Sequence, residues 1–277
     1  MMTVYRLKNM CSLNANSRLV MSNRSQLSRF HLEIALLLLV LHPSYGVCQE
    51  LSAPPVGFAP LFNGEDLSGW RGREQIDPDE FRALGKSERA DRQRKADESL
   101  KKHWRVSDGE IINDGHGVFC TTEKEFGDFD LLLDWKMTDS DTDSGIYLRG
   151  CPQVQIWDPE NVDQHKYGAH LGSGGLWNNN PGSPGKDPLK VADRPVGEWN
   201  TLRVRLVGDQ ATIHLNGQLV VDNAVMHNFW DREKTLYSHG PIQLQTHGGE
   251  MRFRNIFIRK LDESATDSGG KAKTQSF

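Results

Sequence analysis

The stretch FDLLLDWKM, residues 129–137, decides the architecture, because Phe129, Leu131, Leu133, Trp135 and Met137 recur at every second position. A period of two sends successive side chains to opposite faces, so the segment reads as a strand with one core face. TLRVRLV, residues 201–207, repeats the pattern through Leu202, Val204 and Leu206. Asn216-Gly217 lies between ATIHL and QLVV and tolerates the positive φ angles of a two-residue hairpin turn. DSGIYLRGCPQVQIWD, residues 143–158, reads as two further strands about a turn at Gly150-Cys151-Pro152. Many short strands with turn punctuation and few helices predict an all-β, two-sheet jelly-roll sandwich over about residues 55–262.

One segment breaks the rhythm. In residues 77–102, Asp77, Pro78 and Glu80 fit the N-cap, first and third positions of a helix, Gly85 fits its stop, and the charged run from Ser87 to Lys102 predicts a second helix. With Phe81, Leu84 and Leu100 as the main large apolar residues, the pair reads as a short helical insertion on the surface, a lid or a contact arm.

Both ends of the chain differ from the middle. Arg6, Lys8, Arg18, Arg24 and Arg29 precede the apolar run IALLLLVL at 34–41, which predicts a signal peptide over residues 1–48. The run falls short of the roughly 20 residues of a membrane span, so export to the periplasm or the exterior is expected, without an anchor. A start at Met21 gives a more typical leader, and Val47 before Cys48 argues for simple cleavage over lipidation. Residues 263–277 are polar, rich in Gly and Ser, and read as a disordered tail. The whole chain has a formal charge of −4, and loss of the basic leader makes it more acidic, which excludes nucleic acid as an expected partner. Cys120 and Cys151 read as buried free thiols, although an exported protein permits a bridge between them.

The alternating segment GPIQLQTHGG, residues 240–249, separates Ile242, Leu244 and Thr246 from Gln243, Gln245 and His247. Gln and His both donate and accept hydrogen bonds, which suits a polyhydroxylated ligand better than it suits a plain solvated face. IYLRGCPQVQIW alternates in the same way, with Tyr147, Arg149, Gln153, Gln155 and Trp157 opposite Ile146, Leu148, Val154 and Ile156. If the two segments share a sheet, their polar sets line one groove, with Trp157 as an apolar platform. HLGSGGLWNNNPGSPG, residues 170–185, is a long loop carrying Trp177 that either shapes the mouth of that groove or serves as a connection anchored by a buried Trp. Asp139, Asp141 and Asp143 alternate like the start of a calcium loop, but Gly150 stands where the bidentate Glu belongs, which excludes an EF-hand and leaves a looser calcium site or a solvated turn. Nucleophile-elbow, Cys-x-x-Cys and His-Glu-x-x-His motifs are absent, and His165 and His170 show no metal spacing.

Seven blocks, LFNGEDLSGW, FGDFDLLLDWKM, DSGIYLRG, VQIWD, GEWNTLRV, HLNGQLV and GPIQLQTHGGEMRFRNIFI, occur in an order and spacing that resemble the 3-keto-disaccharide hydrolase family over about residues 58–260. The resemblance implies a concanavalin A-like jelly roll, mostly exported, acting on a carbohydrate oxidised at C3. The ketone acidifies the C2 hydrogen, a base removes it, the C1 substituent leaves, and water adds. Ordinary glycosidases instead need two carboxylates about 5 to 9.5 Å apart, and this face is short of them. Many relatives carry Glu where this chain has Gln153, which cannot serve as a base. The role therefore passes to His247 or Asp158, with Arg149 stabilising the enediolate oxygen and Gln153, Gln155, Trp157, Trp177, Gln243 and Gln245 contacting the keto-sugar. No cofactor is implied. The rival readings are a non-catalytic carbohydrate-binding module and a protein-interaction domain that uses the helical insertion.

Overall fold

The computed structural model describes residues 53–261. The expected leader over residues 1–48 and tail over 263–277 lie outside them. The chain runs β1 (Ala59–Pro60), β2 (Trp70–Arg73), α1 (Pro78–Ala83), α2 (Lys86–His103), β3 (Trp104–Ser107), β4 (Glu110–Asn113), β5 (Phe119–Thr122), β6 (Phe129–Met137), β7 (Ser144–Leu148) and β8 (Cys151–Ile156). Two 3-10 turns (Val162–Tyr167 and Ala169–Leu171) then precede β9 (Asn200–Val207), β10 (Gln210–Leu215), β11 (Gln218–Val225), β12 (Gln243–Leu244) and β13 (Met251–Lys260). The larger sheet has the order β11-β10-β9-β6-β13-β4-β3 with β1 also on β13, and the smaller has β2-β5-β12-β7-β8. Every pairing is antiparallel, which makes the expected jelly-roll sandwich the observed one.

Alternation explains the core. Phe129, Leu131, Leu133, Trp135 and Met137 are all buried, and with Leu202, Val204 and Leu206 they meet Ile146, Leu148, Val154, Ile156, Ile242 and Leu244 of the smaller sheet. Asn216 and Gly217 both have positive φ, 51° and 77°, and join β10 to β11 as the hairpin chemistry requires. Cys120 and Cys151 are buried free thiols, and Cys151 Sγ accepts a hydrogen bond from Phe229 N at 3.2 Å.

The insertion is helical as expected. Asp77 caps α1 by accepting from Asp79 N, with Pro78 at the first position. It is bound into the sandwich more closely than the expected surface lid or contact arm, however. Leu100 is 5% exposed and joins the core, Ala96 is buried, and a Cβ on Gly72 of β2 would lie 2.1 Å from Ala96 O. Asp97 Oδ1 accepts from Gly72 N at 2.9 Å, and Gln93 Nε2 donates to Gly72 O at 2.9 Å. Helix α2 thus docks on edge strand β2 and leads directly into edge strand β3, closing one open side of the sandwich.

Candidate functional site

The outward face of the smaller sheet follows from register. In one row Arg71 pairs with Thr121, Thr121 with Gln243, and Gln243 with Tyr147; in the next, Arg73 pairs with Phe119 and Gly145 with Gln155. Gln245 N bonds Gly145 O, which puts Gln245 in that second row. The four glutamines therefore share one face, as the alternation of two distant segments predicts. They form a floor more than a rim: Gln153, Gln155 and Gln243 are 5%, 2% and 4% exposed.

Hydrogen bonds organise one end of this floor. Gln153 Nε2 donates to Gln155 Oε1, Gln155 Nε2 donates to Asp143 Oδ1 at 2.6 Å, and Asp143 Oδ2 lies 3.6 Å from His247 Nδ1. Burial is the largest influence on the Asp143 carboxyl and raises it above the usual carboxylate range, against the lowering effects of Gln155 and His247. His247 is largely exposed, so its second ring nitrogen faces solvent or a ligand. Gly145 is the point of closest approach, because a Cβ there would lie 3.0 Å from Gln153 Cδ and Gln245 Oε1. Gln245 Oε1 is itself buried without a partner. Towards β2, Gln243 Nε2 donates to Thr121 Oγ1 at 3.0 Å, and Gln75 Nε2 donates to the Tyr147 hydroxyl at 2.9 Å. There a cleft of about 210 Å³ opens between β2 and α1, lined by Arg71, Arg73, Phe81, Arg82, Arg89 and Gln243 among others.

Several expected site residues stand elsewhere. Arg149 is not on the face. Leu148 pairs with Cys151, so the turn is the two residues Arg149-Gly150, with φ of 53° and 75°, and not Gly150-Cys151-Pro152; Cys151 and Pro152 belong to β8. Strand alternation ends at that turn, and the Arg149 guanidinium is buried against Asp128 Oδ1 at 2.8 Å and the carbonyls of Gly127, Gly208 and Tyr237. Asp158 is 7% exposed, and its Oδ1 accepts from Glu160 N at 3.0 Å, a local turn bond past the end of β8. Trp157 offers no platform: it is 4% exposed, donates to Gly172 O at 2.7 Å, and stands edge-on to Trp177 at 6.3 Å. The loop that carries Trp177 runs along the free edge of β8, through Gln155 N to Gly175 O and Gly174 N to Gln155 O.

Asp139, Asp141 and Asp143 do not converge. Asp139 accepts from Asp141 N, Asp141 from Asn161 Nδ2, and Asp143 from Gln155, and among the described residues no three His, Cys, Asp or Glu side chains form a group fit for a metal.

Two features escaped the sequence reading. Asp143 has the same parity as Gly145 and Tyr147, a signal masked by its place in an apparent calcium loop. Arg71 and Arg73 alternate with Trp70 and Gly72, but four residues are too few to stand out.

An antiparallel jelly roll with a hydrogen-bonding floor on its smaller sheet is the class of protein that fold and site define. Residues 57–259 match the 3-keto-alpha-glucoside-1,2-lyase-like domain, and the chain belongs to that family. The resemblance carried by the seven sequence blocks is thereby borne out. A Bacteroides thetaiotaomicron protein named 3-keto-disaccharide hydrolase is 23% identical, over 77% of this chain and 81% of that protein. A crystal structure from Parabacteroides distasonis, of a protein provisionally named a glycosyl hydrolase, matches with a TM-score of 0.52 at 21% identity, covering 74% of this chain and 94% of that one. Another from the same organism, under the same provisional name, has a TM-score of 0.50 at 24% identity and covers 74% and 84%. These two likenesses establish the fold.

Proposed function

We propose that the protein cleaves 3-keto-glycosides by elimination at C1 followed by hydration, on the outward face of the smaller sheet. The observation that carries the reading is the chain of hydrogen bonds from Gln153 through Gln155 to Asp143, which ends beside His247 at the edge of a polar floor. His247 is the base. Asp143 faces Nδ1, which favours the tautomer whose Nε2 is free to take the C2 proton. The C2–H electrons move into a C2–C3 enolate, its oxygen charge gathers at C3, and collapse to a C1–C2 double bond expels the alkoxide from C1. Protonation of that alkoxide, addition of water at C1 and return of a proton to C2 complete a net hydrolysis. An unoxidised glycoside has no acidic C2 hydrogen and gives this base nothing to remove. The glutamine side chains, with donors and acceptors on each amide, suit the ring hydroxyls.

Export of the chain belongs to the same proposal and is supported by the basic and apolar order of residues 1–48. Among the described residues no helix is long and apolar enough to cross a membrane.

The test is incubation of the full chain with a panel of 3-keto-glycosides and their unoxidised parents, following aglycone release. The expected result is turnover of keto substrates only, with His247→Ala slower by about 10² to 10⁴-fold and Asp143→Asn also slowed. A second reading, a binding module without catalysis, is favoured by Gln153, whose amide donates within the chain and cannot act as a base. Sugar binding with no turnover of any keto substrate would select it.

A further inference from the structure

We propose that the cleft between β2 and α1 binds an anionic group, a carboxylate or a sulfate ester, on a sugar unit of the substrate, with Arg71 and Arg73 as its ligands. The proposal rests on the reading of this sheet face as a sugar site and adds the class of sugar.

The argument begins with charge. Arg71 and Arg73 project from the same side of a short strand into a cleft that Arg82 and Arg89 also line. Among the described residues neither Arg71 nor Arg73 has a carboxylate within 4.0 Å, and the Nε atoms of both are buried without a hydrogen-bond partner. Glu125, the one acid lining the cleft, is exposed and already faces Arg82 at 3.5 Å, and Arg82 also pairs with Asp79 at 2.8 Å. Two like charges held side by side with donors unspent are costly unless something neutralises them.

Orientation adds to charge. The Arg73 guanidinium lies 3.6 Å from the centre of the Phe81 ring, which holds its plane and leaves its edge for an acceptor. Burial first, and then the Arg71 charge, lower Arg73 to about 10 against the raising effects of the more distant Glu125 and Asp97, so it remains a cation near neutral pH and gains from an anion more than an exposed arginine does. A guanidinium matches the two oxygens of a carboxylate or sulfate in a fork.

The position links the cleft to the proposed chemistry. Arg71 stands in the same cross-strand row as Thr121, Gln243 and Tyr147, and Gln243 lines both the floor and the cleft. From β2 to β7, whose start adjoins Asp143, there are three strand spacings, about 14 Å in all. That is wider than one sugar ring, so the acidic group belongs to a unit next to the oxidised one. The wall is α1, so the helical insertion sets which glycoside is accepted.

The experiment is calorimetric titration of the full chain with methyl glucoside, methyl glucuronide, methyl glucoside 6-sulfate and inorganic sulfate. One or both charged glycosides should bind at least about 10-fold more tightly than the neutral one, and the two arms separate carboxylate from sulfate. Arg71→Gln and Arg73→Gln should each weaken that binding by about 10- to 100-fold. If either variant fails to fold, Glu125→Gln gives the converse, a gain of at least about 3-fold from removing the neighbouring negative charge. Equal binding of neutral and charged glycosides, indifference to these substitutions, or inorganic sulfate binding as tightly as the sulfated sugar would overturn the proposal. Charged glycosides that bind as expected while no keto substrate turns over would defeat the proposed reaction and leave this site standing.

Discussion

Arg149 shows what a single residue's backbone angle can do to a functional reading. By parity it belongs with Tyr147, Gln153 and Gln155, and by chemistry it suits an enolate oxygen. Its φ of 53° places it in the turn, where the next unit after Leu148 is no longer extended strand. Alternation was legible in the sequence; the exact turn was not, because Arg149-Gly150 and Gly150-Cys151-Pro152 both look like turns and only pairing distinguishes them. The buried guanidinium instead ties Asp128 to three carbonyls. Arg149→Ala strands those acceptors and is expected to cost about 3 to 5 kcal/mol of stability, read as a lowered denaturation midpoint by chemical unfolding. A stability close to that of the parent would refute the structural role. Cys151 gives a pH-dependent counterpart. Burial pushes its thiol up to about 11, and the buried Cys120 thiol is raised well above its ordinary range, so both are neutral and shielded at pH 8. Alkylation of the native chain there should leave peptides carrying Cys120 and Cys151 unmodified, while denaturant makes both react. Because the folded Cys151 value lies above the unfolded one, its contribution to stability is complete below the ordinary thiol pKa and disappears as pH rises through about 11.

Among the elements, α2 is where composition and role diverge most. Its bounds were readable to within a residue at each end from Gly85 and the charged run Ser87 to Lys102, because caps and charges are local signals. Its docking was not, since it depends on two small residues meeting: Gly72 gives Ala96 O room that no other side chain allows. An 18-residue helix with only Ala96 and Leu100 buried reads as a surface insertion in sequence, yet its Asp97 side chain accepts from Gly72 N and its Gln93 side chain donates to Gly72 O, which holds it to β2. Gly72→Ala is therefore expected to lower stability by about 1 to 3 kcal/mol, since the added carbon meets backbone that cannot swing aside. Thermal unfolding of the variant measures this, and an unchanged midpoint would mean that the contact relaxes freely. Removal of residues 77–102 should abolish cooperative unfolding, because it bares the edge of the core between β2 and β3. The same locality explains why Arg71 and Arg73 were missed and the four glutamines were found. A four-residue strand carries too little pattern, whereas two separate alternating segments reinforce each other.

At the scale of the whole molecule, the sandwich brings onto one face groups that lie far apart in the chain: Asp143 and Gln155 with His247 at one end, Arg71 and Arg73 at the other. Sequence reading reached the fold and the common face of the four glutamines. The part proposed for Asp143 needed coordinates, because its contacts with Gln155 and His247 join residues from just before β7, from β8 and from the segment after β12. The central claim is that the C1 bond breaks after C2 deprotonation, and isotopic labelling of the product tests it most directly. A 3-keto-glycoside turned over by the full chain in deuterium oxide, with a chain-free control for spontaneous exchange, should yield a 3-keto-sugar carrying one solvent deuterium at C2 by mass spectrometry and proton resonance. Product that retains the original hydrogen at C2, or cleavage of the unoxidised parent at a comparable rate, would contradict it.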